Sequence, residues 1–333
     1  MRITWTVLCA AGIALALCLN PSYSAAHSSS KYHKHSTSRS VTQKASQHRV
    51  RKSRSHRATA SVSPDGKPRL ISASALVIDQ EAGSTVYQKN SDRTMPIASI
   101  TKLMTAMVVL DANQSMNEML TISDADIDRL RHSSSRLRPG TTLSRRELLQ
   151  LSLMSSENRA TSALSRYYPG GKRACVIAMN KKARLLGMKN SGFADPTGLD
   201  GDNRATAKDL VQMVNAANNY GLIKQITTTS HYLVDAAHRA PMEFRNTNAL
   251  VKNKDRNNWR IGLSKTGYIN EAGHCLVMQA QIANRPMIIV LLNAQGKYSG
   301  VGDANRIKKW LESTSYGHSN AARNTGLVTA SAN

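Results

Sequence analysis

The chain of 333 residues carries 45 lysines and arginines against 21 aspartates and glutamates, a formal net charge of +24, and only four cysteines. Such a balance would suit a nucleic-acid binder, but the first residues read as an export signal, so no nucleic-acid partner is expected. Four cysteines, two of them inside that signal, are too few for a scaffold built on disulfides.

Met1 to Ala26 has one positive charge at Arg2, an apolar run from Val7 to Leu19, and small residues at Ser24 and Ala26. That is the layout of a secretory signal peptide, too short and wrongly flanked for a membrane span. Cys9 and Cys18 each follow Leu, where a lipid-anchored precursor would want a small residue. Cleavage near Ala26 and release into the periplasm without an anchor are therefore expected. Residues 27–64 form a basic arm; His27 to Ala60 contains nine Lys or Arg, five His and no acid. It cannot bury enough apolar surface to offset its ordering entropy and is expected to be disordered. Its charge suits either plain solvation or tethering to an anionic wall or membrane surface. His33-Lys34-His35 could bind a metal, but the interleaved positive charges argue against it, and no metal or other cofactor is expected.

All the acidic residues lie within residues 65–312, which are long enough for one large domain or two tightly packed lobes. Ser74 to Asp79 reads as a strand, Glu81 to Ser84 as a turn, and Thr85 to Gln88 as the return strand of a hairpin. Pro96-Ile97-Ala98-Ser99-Ile100-Thr101-Lys102 follows, with Pro96 suited to the first turn of a helix. This helix is apolar nearly all round through Leu110, so it should be buried in the middle of the domain. Ser99 and Lys102 sit at i and i+3 on one face of it, where the amine can reach the hydroxyl.

From Asp111 to Leu143 the pattern mixes helix and loop, with a turn at Arg138-Pro139-Gly140. Ser144 to Glu147 is a capping box for a buried helix that ends at Ser155, which puts Ser156-Glu157-Asn158 on a turn between helices. Ser156 alone would also serve as a helix cap. Lys172 to Leu186 is a helix stopped by Gly187; Phe193 to Leu199 is a turn-rich loop; and Thr206 caps the next helix. After a less regular stretch come three strands, Arg260 to Tyr268, Cys275 to Ile282 and Met287 to Asn293, then a helix from Gly302 to Glu312 and a polar tail over 313–333. Two strands at the start and three at the end, with helices between, predict an α+β fold with one antiparallel sheet built from both ends and a helical lobe inserted. Cys175 and Cys275 either pair or remain as two buried thiols, and sequence does not decide between these.

Ser-x-x-Lys alone proves little, since Ser28 to Lys31 repeats it without apolar context. Three elements in order say more: Ser99-x-x-Lys102, Ser156-x-Asn158 and the single Lys265-Thr266-Gly267. Lys102 can take the Ser99 proton only as a neutral amine, and burial together with the charge of Lys265 favours that form. Ser156 would relay the proton to the leaving amine, and Asn158 would hold Lys102 and a substrate amide. Lys265 and Thr266 would bind a carboxylate, and Gly267 would let the ligand lie against its strand. The N–H groups of Ser99 and Tyr268 would then stabilise a tetrahedral oxyanion, which makes the reaction class acyl transfer through an acyl-enzyme.

With Pro96 to Ala106, Ser156 to Asn158, Asp195-Pro196-Thr197-Gly198-Leu199 and Lys265 to Gly267 in view, the chain resembles the low-molecular-mass penicillin-binding proteins, which are serine D-Ala-D-Ala peptidases. The resemblance spans about Leu70 to Glu312. It implies a β-lactamase/transpeptidase-like fold, peptidoglycan peptides as substrate and β-lactam antibiotics as covalent inhibitors. It also implies Ser99 as nucleophile, Lys102 as proton acceptor, Ser156 as a catalytic hydroxyl and Lys265 as a substrate-binding residue. No Glu-x-x-x-Asn loop lies between Ser156 and Lys265, which disfavours a β-lactamase. Membrane-held carboxypeptidases of the family carry a second domain and an amphipathic anchor, neither of which is legible after Ser313. Cleavage of D-alanyl cross-bridges is therefore expected over carboxypeptidase action or a non-hydrolytic wall-binding or β-lactam-sensing role.

Overall fold

A computed structural model describes Ser63, residues 66–235 and residues 240–314. The segment read as a signal peptide, the basic arm apart from Ser63, and the tail beyond Thr314 lie outside the described residues.

The expected hairpin is present as β1 (Ser74–Asp79) and β2 (Ser84–Lys89). Pro96, however, does not open the helix. It lies in a two-residue strand β3 (Met95–Pro96), and a 3-10 turn over Ala98–Ile100 leads into α1 (Thr101–Asp111). Nine consecutive residues of α1, Thr101 to Val109, are buried, as its all-round apolar character requires.

Beyond Asp111, where α1 ends, the stretch to Leu143 contains no further α-helix among its described residues; it is loop with a 3-10 turn at Asp124–Asp126 and a two-stranded ribbon of β4 (Met119–Thr121) and β5 (Thr142–Ser144). Next come α2 (Arg145–Met154), α3 (Asn158–Arg166) and α4 (Gly171–Leu185). Ser144 and Glu147 form the capping box of α2, each side chain satisfying the other's free backbone N–H. Strand β6 (Arg204–Ala205) pairs with β3, and α5 (Ala207–Ala217) is capped by Thr206, whose hydroxyl accepts from Asp209 N.

The stretch that looked irregular holds α6 (Gly221–Thr227), a hairpin of β7 (His231–Val234) and β8 (Met242–Arg245), and α7 (Ala249–Lys252). These are short elements whose period the sequence hardly displays. The last strands are longer than expected by one to three residues: β9 (Arg260–Ile269), β10 (Gly273–Ile282) and β11 (Arg285–Ala294), followed by α8 (Ser299–Ser313). Tight turns let their pairing extend, and Pro286 stands near the start of β11, opposite Gln281.

The main sheet runs in the order β2-β1-β11-β10-β9, antiparallel throughout, so both ends of the domain meet in its middle. Strand β11 shows why. Ile288, Val290 and Leu292 face one core with α1 and the helical lobe, while Met287, Ile289 and Leu291 face a second core under Ala304, Ile307 and Leu311 of α8. A strand buried on both faces has to be continuously apolar, and each such side chain contributes about 1.5–3 kcal/mol on burial. The α+β architecture read from the sequence is thus present, with α1 enclosed by α2, α3, α4 and α5, and with α5 and α6 packed on the sheet. The mouth of α1 faces β9.

Candidate active site

Ser99 stands where strand β3 turns into α1. Ile97 N donates to Asn203 O at 3.0 Å, and Ala98 is held at φ +48°, so the chain bends sharply one residue before the serine. Side chains on a helix lean towards its N-terminus, and Lys102 therefore reaches back until its Nζ lies 2.8 Å from Ser99 Oγ. Lys102 does not run out to solvent as a surface lysine would; it is completely buried. Its amine also donates to Asn158 Oδ1 at 2.8 Å and to the Thr197 carbonyl at 2.6 Å.

Burial is the chief influence on this amine and brings its pKa from 10.5 down to about 8, against the opposing pull of Asp195, Glu157 and Asp128. Lys265 is only 1% exposed, and it donates to Ser156 Oγ at 2.9 Å and to the Thr266 carbonyl at 2.8 Å. Its pKa also falls well below the usual lysine range, first through burial and then through the charge of Lys102, with no carboxylate opposing. The two amines titrate as a pair, and holding both charged at once is unfavourable.

Ser156 and Glu157 do sit on the turn between α2 and α3, while Asn158 is already the first residue of α3. Ser156 does not cap α3. That place belongs to Glu157, whose carboxylate accepts from Arg159 N, and Ser156 instead adopts φ +61°. A left-handed conformation at a serine costs about 1 kcal/mol or more and is kept where the surroundings impose it. Here it presents Oγ to Lys265. Asn158 begins α3 with its side chain bridging Lys102 and, through Nδ2 at 2.9 Å, Ser133 Oγ.

Lys265-Thr266-Gly267 lies on β9, the edge strand of the sheet, facing the 3-10 turn. A Cβ on Gly267 would come within 2.8 Å of Ile97 O and 3.0 Å of Ser99 N, so only glycine lets this strand lie so near the backbone of Ser99. Thr266 Oγ1 donates to Thr247 Oγ1, and Tyr268, 54% exposed, stacks on His274 with ring centres 4.4 Å apart. The space between these walls is a cleft of about 550 Å³ lined by Ser99, Ser156, Asn158, Thr266, Gly267 and Tyr268 among others. The structure thus gathers Ser99, Lys102, Ser156, Asn158, Lys265, Thr266, Gly267 and Tyr268 in one place.

Several participants were not assigned from the sequence. Asp195 accepts from the N–H groups of Thr197 and Gly198, each at 2.9 Å, and turns the Thr197 carbonyl onto Lys102. An Asp-Pro turn is visible in the sequence, but the direction of its carbonyl is not. Arg245, Lys252 and Lys297 line the cleft, and no Asp or Glu does so among the described residues. Cys175 and Cys275 are unpaired and buried, and burial pushes both thiols up to about 12, which makes them poor nucleophiles.

A trio of serine, buried lysine and second serine facing a cationic strand can carry out acyl transfer without a metal ligand set. Comparison with known proteins agrees with that chemistry. Residues 59–296 match the Peptidase_S11 family, described as D-alanyl-D-alanine carboxypeptidase. The chain is 50% identical to a D-alanyl-D-alanine endopeptidase of Pseudomonas aeruginosa, over 73% of this chain and 78% of that one. It is 43% identical to a D-alanyl-D-alanine endopeptidase of Escherichia coli, over 76% and 81% of the two chains. A D-alanyl-D-alanine carboxypeptidase of Bacillus subtilis is 30% identical over 66% of this chain and 57% of its own length. Among solved structures, the DD-transpeptidase of Streptomyces K15 superposes with a TM-score of 0.67 at 26% identity, covering 73% of this chain and 98% of that one. Penicillin-binding protein D2 of Listeria monocytogenes, in an ampicillin-bound form, does so with a TM-score of 0.61 at 27% identity, covering 73% and 97%.

Proposed function

The chain belongs to the D-alanyl-D-alanine carboxypeptidase family, Peptidase_S11, and on that premise we propose that it is a serine endopeptidase of D-alanyl cross-bridges in peptidoglycan. The observation that carries this reading is Ser99 Oγ 2.8 Å from the amine of a fully buried Lys102, in a cleft lined by Ser99, Ser156, Thr266 and Gly267, with the Lys265 amine behind Ser156.

In this reading a substrate carboxylate docks near Lys265 and Thr266. Its negative charge favours a protonated Lys265, and that positive charge in turn favours a neutral Lys102. Lys102 then accepts the Ser99 proton as Oγ attacks the D-alanyl carbonyl, and the N–H groups of Ser99 and Tyr268 hold the oxyanion. Collapse expels the amine, which takes its proton by way of Ser156. Water attacks the ester, the D-alanyl carboxylate leaves, and Ser99 regains its hydrogen. A β-lactam follows the first half of this course and stays attached, so it acts as a covalent inhibitor.

Endopeptidase action is favoured because the relatives at 50% and 43% identity carry that name, whereas the one at 30% is named a carboxypeptidase. Dimeric, cross-linked muropeptide and a monomeric pentapeptide should be assayed side by side with products read by mass. We expect dimers to be cleaved faster. Terminal D-alanine release from the monomer with dimers left intact would make it a carboxypeptidase, and acylation without turnover would make it a sensing module.

Export to the periplasm by the segment ending near Ala26 fits a wall substrate, and no helix among the described residues is long and apolar enough to cross a membrane. The arm at 27–60, with nine cations, is read as a tether to an anionic wall or membrane surface. Truncation to a start near Val62 is expected to leave turnover of soluble muropeptide unchanged while weakening binding to isolated walls at low salt, the difference fading as salt rises. Equal wall binding at every ionic strength would remove that function from the arm.

A further inference from the structure

One contact of the site leads away from the reacting groups. Asp128, 9% exposed, lies in the loop between β4 and β5 and accepts from Leu130 N at 3.0 Å, Arg131 N at 2.9 Å, Ser133 N at 3.0 Å and Ser133 Oγ at 2.6 Å. Ser133 has a single hydroxyl proton, and the carboxylate takes it. What Ser133 offers on its other side is therefore a lone pair, 2.9 Å from the side-chain amide of Asn158. Only the NH₂ end of that amide can bond there. Its carbonyl end is thereby turned to Lys102 Nζ at 2.8 Å.

A neutral amine has two N–H bonds and one lone pair. Asn158 Oδ1 and the Thr197 carbonyl take the two N–H bonds, which leaves the lone pair for the hydroxyl of Ser99. With the amide reversed, NH₂ would face Lys102 and compete for that lone pair. We propose that Asp128 and Ser133 are positioning residues that fix the orientation of the Asn158 amide and so aim the base at the nucleophile. The hydrogen bonds then run in one direction, from Ser99 to Lys102 to Asn158 to Ser133 to Asp128.

The loop is braced for such a role. Arg131 donates to the Leu199 carbonyl and pairs with Glu271 at 3.0 Å, so the segment is fastened to the turn that follows Thr197 and to the turn after β9. His132, just before Ser133, is held at φ +54°, a conformation that needs support from its surroundings. Hydrogen bonds from Ser133, Arg131 and Leu130 outweigh burial and keep the Asp128 carboxyl below its ordinary range, hence charged and acceptor-only near neutral pH.

The proposal rests on Lys102 acting as the base for Ser99, and its test separates the two ideas. Acylation by a fluorescent penicillin is timed for the wild type, Ser133→Ala, Ser133→Thr and the near-isosteric Asp128→Asn, with Ser99→Ala as control. Ser133→Ala and Asp128→Asn are expected to slow acylation by about tenfold to a hundredfold, as loss of a buried hydrogen-bond partner does, whereas Ser133→Thr should stay within about threefold of wild type. The decisive comparison repeats Ser133→Ala on an Asn158→Asp background, where no amide remains to be oriented. There the loss should vanish, while a merely structural effect would persist. An adduct on Ser99→Ala would overturn the nucleophile assignment itself. A Ser99-dependent adduct formed at the wild-type rate by Ser133→Ala, or an equal loss on both backgrounds, would overturn this proposal alone.

Discussion

Ser99→Ala is expected to abolish the penicillin adduct altogether, with intact mass after penicillin treatment as the measurement. The lactam carbonyl needs an oxygen nucleophile already placed beside a base, and among the hydroxyls lining the cleft it is that of Ser99 that is hydrogen-bonded to Lys102. Ser156, the other hydroxyl of the trio, is paired with Lys265. The substitution removes a half-buried hydroxyl and leaves the surrounding backbone bonds in place, so the melting temperature should hardly move. An adduct persisting in Ser99→Ala would mean that a different residue is acylated.

Lys102→Arg is expected to retain less than about a tenth of the acylation rate although charge is kept, because a guanidinium does not give up its proton and cannot act as the base. The side chain is wholly enclosed, with its three bonds to Ser99, Asn158 and Thr197 shaped to a compact amine, so a planar fork also fits badly. The wild-type enzyme should show the matching pH dependence. Burial lowers the Lys102 pKa to about 8, so the base form prevails above that pH and is lost below it as the amine takes up a proton. The acylation rate should therefore fall about tenfold per unit on the acid side. If Lys102→Arg keeps more than a tenth of the rate, or the wild-type rate is flat from pH 6 to 9, Lys102 is not the base.

The limits of sequence reading show in particular places. Strand β11 was legible because burial on both faces leaves a run of apolar residues that hardly any other context produces, whereas α6, β7, β8 and α7 were not, being four to seven residues long without a clear period. Pro96 was misplaced for a related reason. The same fixed φ suits a first helical turn and an extended strand, and pairing of Met95–Pro96 with Arg204–Ala205, some hundred residues away, selects the strand.

By itself the sequence determined which chemical groups are present and their order: a serine and a lysine three apart at the head of an apolar helix, a second serine two before an asparagine, and a lysine, threonine and glycine on a strand. It determined the class of reaction as well, since those groups in that order serve acyl transfer. Only the tertiary structure decided how the groups meet and in which state. Ser156 at φ +61°, the Thr197 carbonyl turned onto Lys102, and the Asp128–Ser133 pair behind Asn158 all depend on segments distant in sequence being packed together. Hydrogen-bond direction and the protonation of a buried amine are set by what surrounds them in space, and a single chain read in order does not contain that information until it has folded.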